Sequence, residues 1–180
     1  MIQQRVAGLM RKLIAEWRMP DERYRKCQPD APYGSYLLFL CPSTRLSIVL
    51  DVFAPGQVAA VHDHGVWGVF GCLAGIEIER RFALDGAAGS PPRELSSVRL
   101  TPGEVRSTDP AGASFHQVEC AGQVESVSLH VYGDDIGRLK RRRWDPAAHA
   151  LVTFSSGYSN DVLGYRPYLE ADFATGGPLR

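Results

Sequence analysis

Between Tyr36 and Tyr132 the chain breaks into about eight short runs rich in β-branched and aromatic residues, separated by sharp turn signals. They are Tyr36 to Cys41, Leu46 to Phe53, Val58 to His62, Trp67 to Leu73, Glu77 to Phe82, Ser96 to Leu100, Phe115 to Glu119 and Val124 to Tyr132. Pro55-Gly56, Pro102-Gly103 and Ala111-Gly112 mark tight turns, and Asp85 to Pro92 reads as the longest loop. This pattern predicts a mainly β chain folded as an antiparallel barrel or jelly roll. Ahead of it, Ile2, Val6, Leu9, Met10, Leu13, Ile14 and Trp17 recur at three- and four-residue steps, which predicts a helix ending before Pro20 with that face against the body. Residues 19–34 read as a connector.

The length of 180 residues suits one domain: a helical N-terminal segment and connector over 1–34, a barrel over 35–158 and a C-terminal extension over 159–180. Twenty basic residues balance twenty acidic ones, so no global field draws the chain to nucleic acid or to an anionic membrane. Arg5, Arg11, Lys12 and Glu16 interrupt any signal-peptide core, and a cytoplasmic location is expected. Cys27, Cys41, Cys72 and Cys120 are scattered without a Cys-x-x-Cys pair, which fits reduced, mostly buried thiols.

Chemistry concentrates around His62-Asp63-His64, framed by Gly56, Gly68 and Gly75. If Val61 to His64 is extended, residues two apart share a face, so both imidazoles project together and Asp63 points away. Two convergent rings need only one or two further donors to hold a divalent ion. His116 is the natural third ligand, with His130 as its rival. In Ser128-Leu129-His130-Val131-Tyr132 the period of two aligns hydroxyl, imidazole and phenol on one face, where they can hydrogen-bond in series. Such a ladder can also serve only to fix a barrel. His149, after Pro146-Ala147-Ala148, reads as a surface-loop histidine.

The Gly56 to Gly75 frame resembles the first cupin motif, and Pro110 through His116 to Cys120 resembles a loosened second one. Together with Ser128, His130 and Tyr132, these histidines look like the cysteine dioxygenase family of thiol dioxygenases, over about Tyr33 to Tyr158. The resemblance implies a cupin (jelly-roll) β-barrel and a mononuclear non-haem Fe(II) held by His62, His64 and His116. It implies oxidation of a small mercapto acid to its sulfinic acid by O₂, with Ser128, His130 and Tyr132 as catalytic support. Gly68 occupies the slot where most metal cupins place a glutamate ligand, and where animal cysteine dioxygenases carry a cysteine crosslinked to the ladder tyrosine. A site of neutral imidazoles leaves the full charge on the ion, which favours a bound thiolate.

Substrate binding is assigned to Arg141, since the spacing from Tyr132 resembles bacterial 3-mercaptopropionate dioxygenases and a guanidinium pairs a carboxylate in two-pronged fashion. The alternative treats Arg138, Lys140, Arg141, Arg142 and Arg143 as a solvated basic stretch. Ser35 stands where bacterial relatives often carry glutamine, which leaves room for a somewhat larger thiol acid. Cys72 reads as a small buried hydrophobe, and Trp67 and Phe115 as packing, with Trp67 under the N-terminal helix. Two other classes stay open: a cupin enzyme of another reaction type, with Glu77 or Glu79 completing the coordination, and a non-catalytic cupin that binds a small ligand.

Overall fold

In Ser126-Val127-Ser128-Leu129-His130-Val131-Tyr132 polar and apolar side chains alternate, and nearly all of both sets are buried. A strand of this kind must lie at the centre of a sheet that is covered twice. The computed structural model, which describes residues 2–16, 21–84, 89–109, 111 and 113–163, shows that arrangement. The first sheet has the order β1-β2-β8-β3-β6, from β1 (Gly34–Leu40), β2 (Ser47–Phe53), β3 (Gly68–Ala74), β6 (Val105–Ser107) and β8 (Ser126–Tyr132). Val127 and Leu129 join Leu50, Val52 and Val69 on its outer face, which α1 (Ile2–Glu16) covers. Ser128, His130 and Tyr132 look inward.

The second sheet pairs β5 (Arg93–Leu100) with β4 (Glu77–Ala83), and β4 with β7 (Phe115–Cys120). Single bridges from Val58 to Glu119, His62 to His116 and His62 to Arg143 carry it on to β9 (Arg141–Asp145), which pairs with β10 (Ala150–Phe154). All the pairings in both sheets are antiparallel. Phe70, Cys72 and Leu100 pack between the sheets, as do Phe53, Val118 and Cys120.

Three features differ from the reading of the sequence. Residues 58–62 run extended but make only isolated bridges, so they form a connecting edge instead of a regular strand. The alternative of a solvated basic stretch holds for Arg138, Lys140 and Arg142, which are exposed, but not for Arg141, which is 4% exposed on β9. The buried face of α1 is Gln3, Ala7 and Met10, with Val6 and Ile14 packed beside them, whereas Ile2, Leu9 and Leu13 are exposed. Gln3 sets this rotation, because its amide donates to the carbonyls of Gly68 and Thr108 at 3.2 and 2.8 Å. Gly71 permits it, since a Cβ there would stand 2.5 Å from Cδ1 of Ile14. Trp67 lies against Gly133, whose N–H donates to its carbonyl at 3.1 Å. Trp17, Pro110 and Gly112 lie outside the described residues, as do Asp85 to Ala88 of the long loop.

The free edge of β1 is covered by α2 (Ser159–Leu163): Leu37 N–H donates to Asn160 Oδ1 at 2.6 Å, and Ser35 N–H to Ser159 Oγ at 2.9 Å. An unpaired strand edge is a template for aggregation, and these bonds close it. Residues 164–180 of the extension lie outside the described residues. Among the described residues no helix is long and apolar enough to cross a membrane.

Candidate metal centre

His62, His64 and His116 meet inside the barrel, with one ligand atom from each all within 4.8 Å of one another. Their ring centroids lie 4.6 to 5.0 Å apart. Backbone pairing brings them there: His62 N–H donates to His116 O and His116 N–H to His62 O, both at 2.9 Å. Asp63 points the other way and takes Arg142, accepting from its backbone N–H at 2.8 Å and from Nε at 2.7 Å. The residue between the two ligands therefore ties them to β9.

The protonation of the rings suits an ion. His62 Nδ1–H donates to the Ala60 carbonyl at 2.8 Å, and His116 Nδ1–H donates to Glu79 Oε1 at 3.2 Å. Both tautomers leave the Nε2 lone pair free. Burial, and then the neighbouring imidazoles and Arg141, hold His62 and His64 well below their ordinary value, in the neutral form that a metal requires. Among the described residues no carboxylate joins the three imidazoles. Glu79, 2% exposed, instead orients His116 and is held in turn by Arg81 Nε at 3.3 Å. Burial pushes the Glu79 carboxyl up, but the bond from His116 and the nearby Arg81 charge bring it below its ordinary value. A carboxylate behind a ligating histidine is a common means of fixing the ring.

The ladder on β8 runs directly into this site. Ser128 Oγ lies 2.8 Å from His130 Nε2, His130 Nδ1 lies 2.9 Å from the Tyr132 hydroxyl, and that hydroxyl lies 3.4 Å from His64 Nε2. Burial, reinforced by Asp51, keeps the Tyr132 phenol well above its ordinary value, so it is a proton donor throughout the neutral range. Asp51 on β2 stands beside the ladder, with Oδ2 3.5 Å from His130 Nε2 and Oδ1 without a partner. Gly68 pairs with Tyr132 across β3 and β8, and a Cβ on it would meet the Tyr132 ring at 2.7 Å.

Arg141, Asp51, Ser35, His62, His116 and Tyr132 all line one inner chamber. The Arg141 guanidinium donates from Nη2 to Ser156 Oγ at 2.8 Å and lies over the Phe154 ring at 4.7 Å, while its Nε has no partner. Tyr33, Ser35, Ala59 and His62 line both this chamber and an outer cleft of about 510 Å³. Phe115 stays outside the site, with Arg142 over its ring at 5.2 Å. His149 is exposed in the β9–β10 turn. Cys72 is fully buried, its thiol pushed up to about 12 by burial and then by Glu77.

The reading of the sequence placed His62, His64, His116, Ser128, His130, Tyr132 and Arg141 together, and here they are neighbours. It missed Glu79 as the partner of His116 and overlooked Asp51. A period of two through Glu77 and Glu79 was the available signal, because it puts both on the inward face of β4.

No family model matches the chain. A conserved protein with a double-stranded β-helix domain from Klebsiella pneumoniae is 14% identical, matching 72% of this chain and 93% of its own, with a TM-score of 0.52. The Thermus thermophilus protein TT1209 is 22% identical over 66% of this chain and 98% of its own, with a TM-score of 0.49. A cupin superfamily protein of Desulfitobacterium hafniense is 20% identical over 67% and 93%, with a TM-score of 0.46. At 14% identity the first of these likenesses speaks for the fold alone. The chain has a double-stranded β-helix fold, mainly β behind one N-terminal helix, with a three-histidine site inside the barrel.

Proposed function

We propose that this chain is a mononuclear iron thiol dioxygenase that oxidises a small mercapto acid to its sulfinic acid. The observation that carries the reading is Arg141, a guanidinium 4% exposed that lines the same chamber as the imidazoles of His62 and His116. It has no acidic partner within ion-pair distance among the described residues, and its Nε is free. A buried charge of this kind is expensive unless something pairs with it. A carboxylate entering the chamber supplies the pair, and its thiol then falls beside the histidines.

His62, His64 and His116 would hold Fe(II), with Nε2 the nitrogen left over in His62 and His116. When bound, the ion supplies a site where a thiolate and O₂ meet and exchange electrons, and three neutral ligands suit an anionic sulfur donor better than a set containing a carboxylate. The net reaction joins both atoms of O₂ to sulfur, RSH + O₂ → RSO₂H; sulfur loses four electrons and dioxygen gains them.

The protein's own groups do the rest. Arg141 fixes the acid end, so the thiol is presented in one orientation. Tyr132 donates a hydrogen bond beside His64, where charge on oxygen develops, and it holds its proton there because burial disfavours the phenolate. His130 and Ser128 hold the phenol in place and can pass a proton along the series.

The test is oxygen uptake by the Fe(II)-loaded protein against cysteine, 3-mercaptopropionate and mercaptosuccinate, with Arg141→Met alongside. One O₂ consumed per sulfinate formed, and a KM raised at least about tenfold in Arg141→Met, are expected. Lack of uptake with every thiol acid would overturn the reaction class. An unchanged KM in the variant would overturn the anchor.

A further inference from the structure

β9 sends two guanidiniums inward. Along Arg141-Arg142-Arg143 the strand period puts the outer pair on one face and Arg142 on the other, where it meets Asp63. The bridge between His62 and Arg143 places these two residues directly opposite each other, so Arg143 leans to the side from which His62 enters the metal site. Arg141 lines the inner chamber, and Arg143 lines the outer cleft beside His62. The Phe154 ring is shared, with the two guanidiniums 4.7 and 6.0 Å from its centroid and the His62 ring 6.3 Å away.

Like Arg141, Arg143 has no acidic partner among the described residues, and it is half-buried. Among the described residues lining the cleft it is the one arginine or lysine, and none is acidic; Gln28, Ser155, Ser156 and Ser159 are neutral polar groups there. A cleft of about 510 Å³ is far more space than a three-carbon thiol acid requires. Ser35, a small side chain, lines both the chamber and the cleft.

We propose that the outer cleft is a second anion subsite, so that the substrate is a thiol bearing two carboxylates, one on Arg141 and the other on Arg143. The thiol part of this proposal rests on the dioxygenase reading, whereas the pair of carboxylate subsites does not. Two anchors on one strand, both against Phe154, would hold a four- or five-carbon diacid between them with its sulfur toward the histidines. The half-burial of Arg143 makes the outer pair stronger than one fully in solvent, because screening is reduced.

The experiment separates the two claims by using acids without sulfur. Binding of succinate and of propionate to the metal-loaded protein is measured by calorimetry, for the wild type, Arg143→Met, Arg143→Lys and Arg141→Met. The wild type is expected to bind succinate on the order of tenfold or more tighter than propionate. In Arg143→Met that ratio falls toward one, and Arg143→Lys restores part of it; chelation of the ion by the diacid would leave the ratio untouched by either substitution. A wild type without preference, or an Arg143→Met protein that keeps it, overturns the proposal. Oxygen uptake with mercaptosuccinate and 3-mercaptopropionate then tests the chemistry. A succinate preference that depends on Arg143, with no uptake from either thiol, leaves the subsite standing and removes the dioxygenase reading. Uptake with either thiol, without any effect of Arg143, does the reverse.

Discussion

A Cβ on Gly68 would stand 2.7 Å from Cε1 and 2.8 Å from Cδ1 of Tyr132, so one edge of the ladder tyrosine's ring closes onto a backbone that has no side chain. The ring is confined between β3 and β8 and cannot withdraw, because its hydroxyl is held by His130 and stands beside His64. Gly68→Ala is expected to cost about 1–3 kcal/mol by overpacking. It should also displace the phenol from the metal site. Chemical denaturation gives the first quantity. Metal content should survive, since no ligand is touched, while turnover of a thiol acid falls; full turnover in Gly68→Ala would show that the placement of the phenol is unimportant.

Glu79 offers a cleaner separation of orientation from ligation. It fixes the Nδ1 proton of His116 without reaching the ion itself. Glu79→Gln keeps the shape but weakens the bond, and metal affinity is expected to drop about 10–100-fold, as is usual when a supporting partner of a ligating histidine is changed. Titration with a competing chelator measures this. An unaltered affinity would assign the orientation of His116 to backbone pairing alone.

The reading of the sequence succeeded where chemistry repeats with the period of the strand. His62 and His64, and the series Ser128, His130 and Tyr132, are two residues apart, and that spacing alone puts each set on one face. It failed where position depends on a distant neighbour. Glu79 reads as a strand residue and, in one alternative, as a ligand, but nothing local points to the histidine it orients, which is 37 residues away on β7. Arg141 to Arg143 look like a charge run because nothing local reveals that His62 pairs with Arg143 and that Asp63 claims Arg142. The rotation of α1 follows from the contacts of Gln3 and Gly71 with the sheet, so hydrophobic periodicity within the helix misplaced its face.

Glu77 makes stability depend on pH. It is fully buried on β4, its two oxygens lacking hydrogen-bond partners, and burial raises its carboxyl from the ordinary 4.5 to about 7. The Ser128 and Ser126 hydroxyls nearby pull it down only in part, and Asp51 pushes it further up. Because the folded form holds this proton more tightly than the unfolded chain, its contribution is complete below pH 4.5 and is lost as pH rises through about 7. The loss amounts to about 3 kcal/mol at most. Glu77→Gln cannot ionise, so denaturation followed from pH 4.5 to 8 should show a flatter profile than the wild type. Parallel profiles would mean that Glu77 stays solvated or paired.

Asp63, between two ligands, is the remaining tether. The segment around it makes only isolated bridges, so the geometry of His62 and His64 rests on the reciprocal bonds of His62 with His116 and on the attachment of Asp63 to Arg142. Asp63 is 3% exposed and accepts from both the backbone and the side chain of Arg142, and its own N–H donates to Arg142 O at 3.0 Å. In Asp63→Ala the Arg142 N–H loses its side-chain acceptor, at a cost of about 1–3 kcal/mol. Asp63→Asn retains an acceptor for that N–H and loses chiefly the ion pair, so it should fall between Ala and the wild type. If the tether sets the spacing of the ligands, metal affinity must follow the same order as stability. A chelator titration showing Asp63→Ala equal to the wild type would place the whole burden of positioning on the His62–His116 backbone pair.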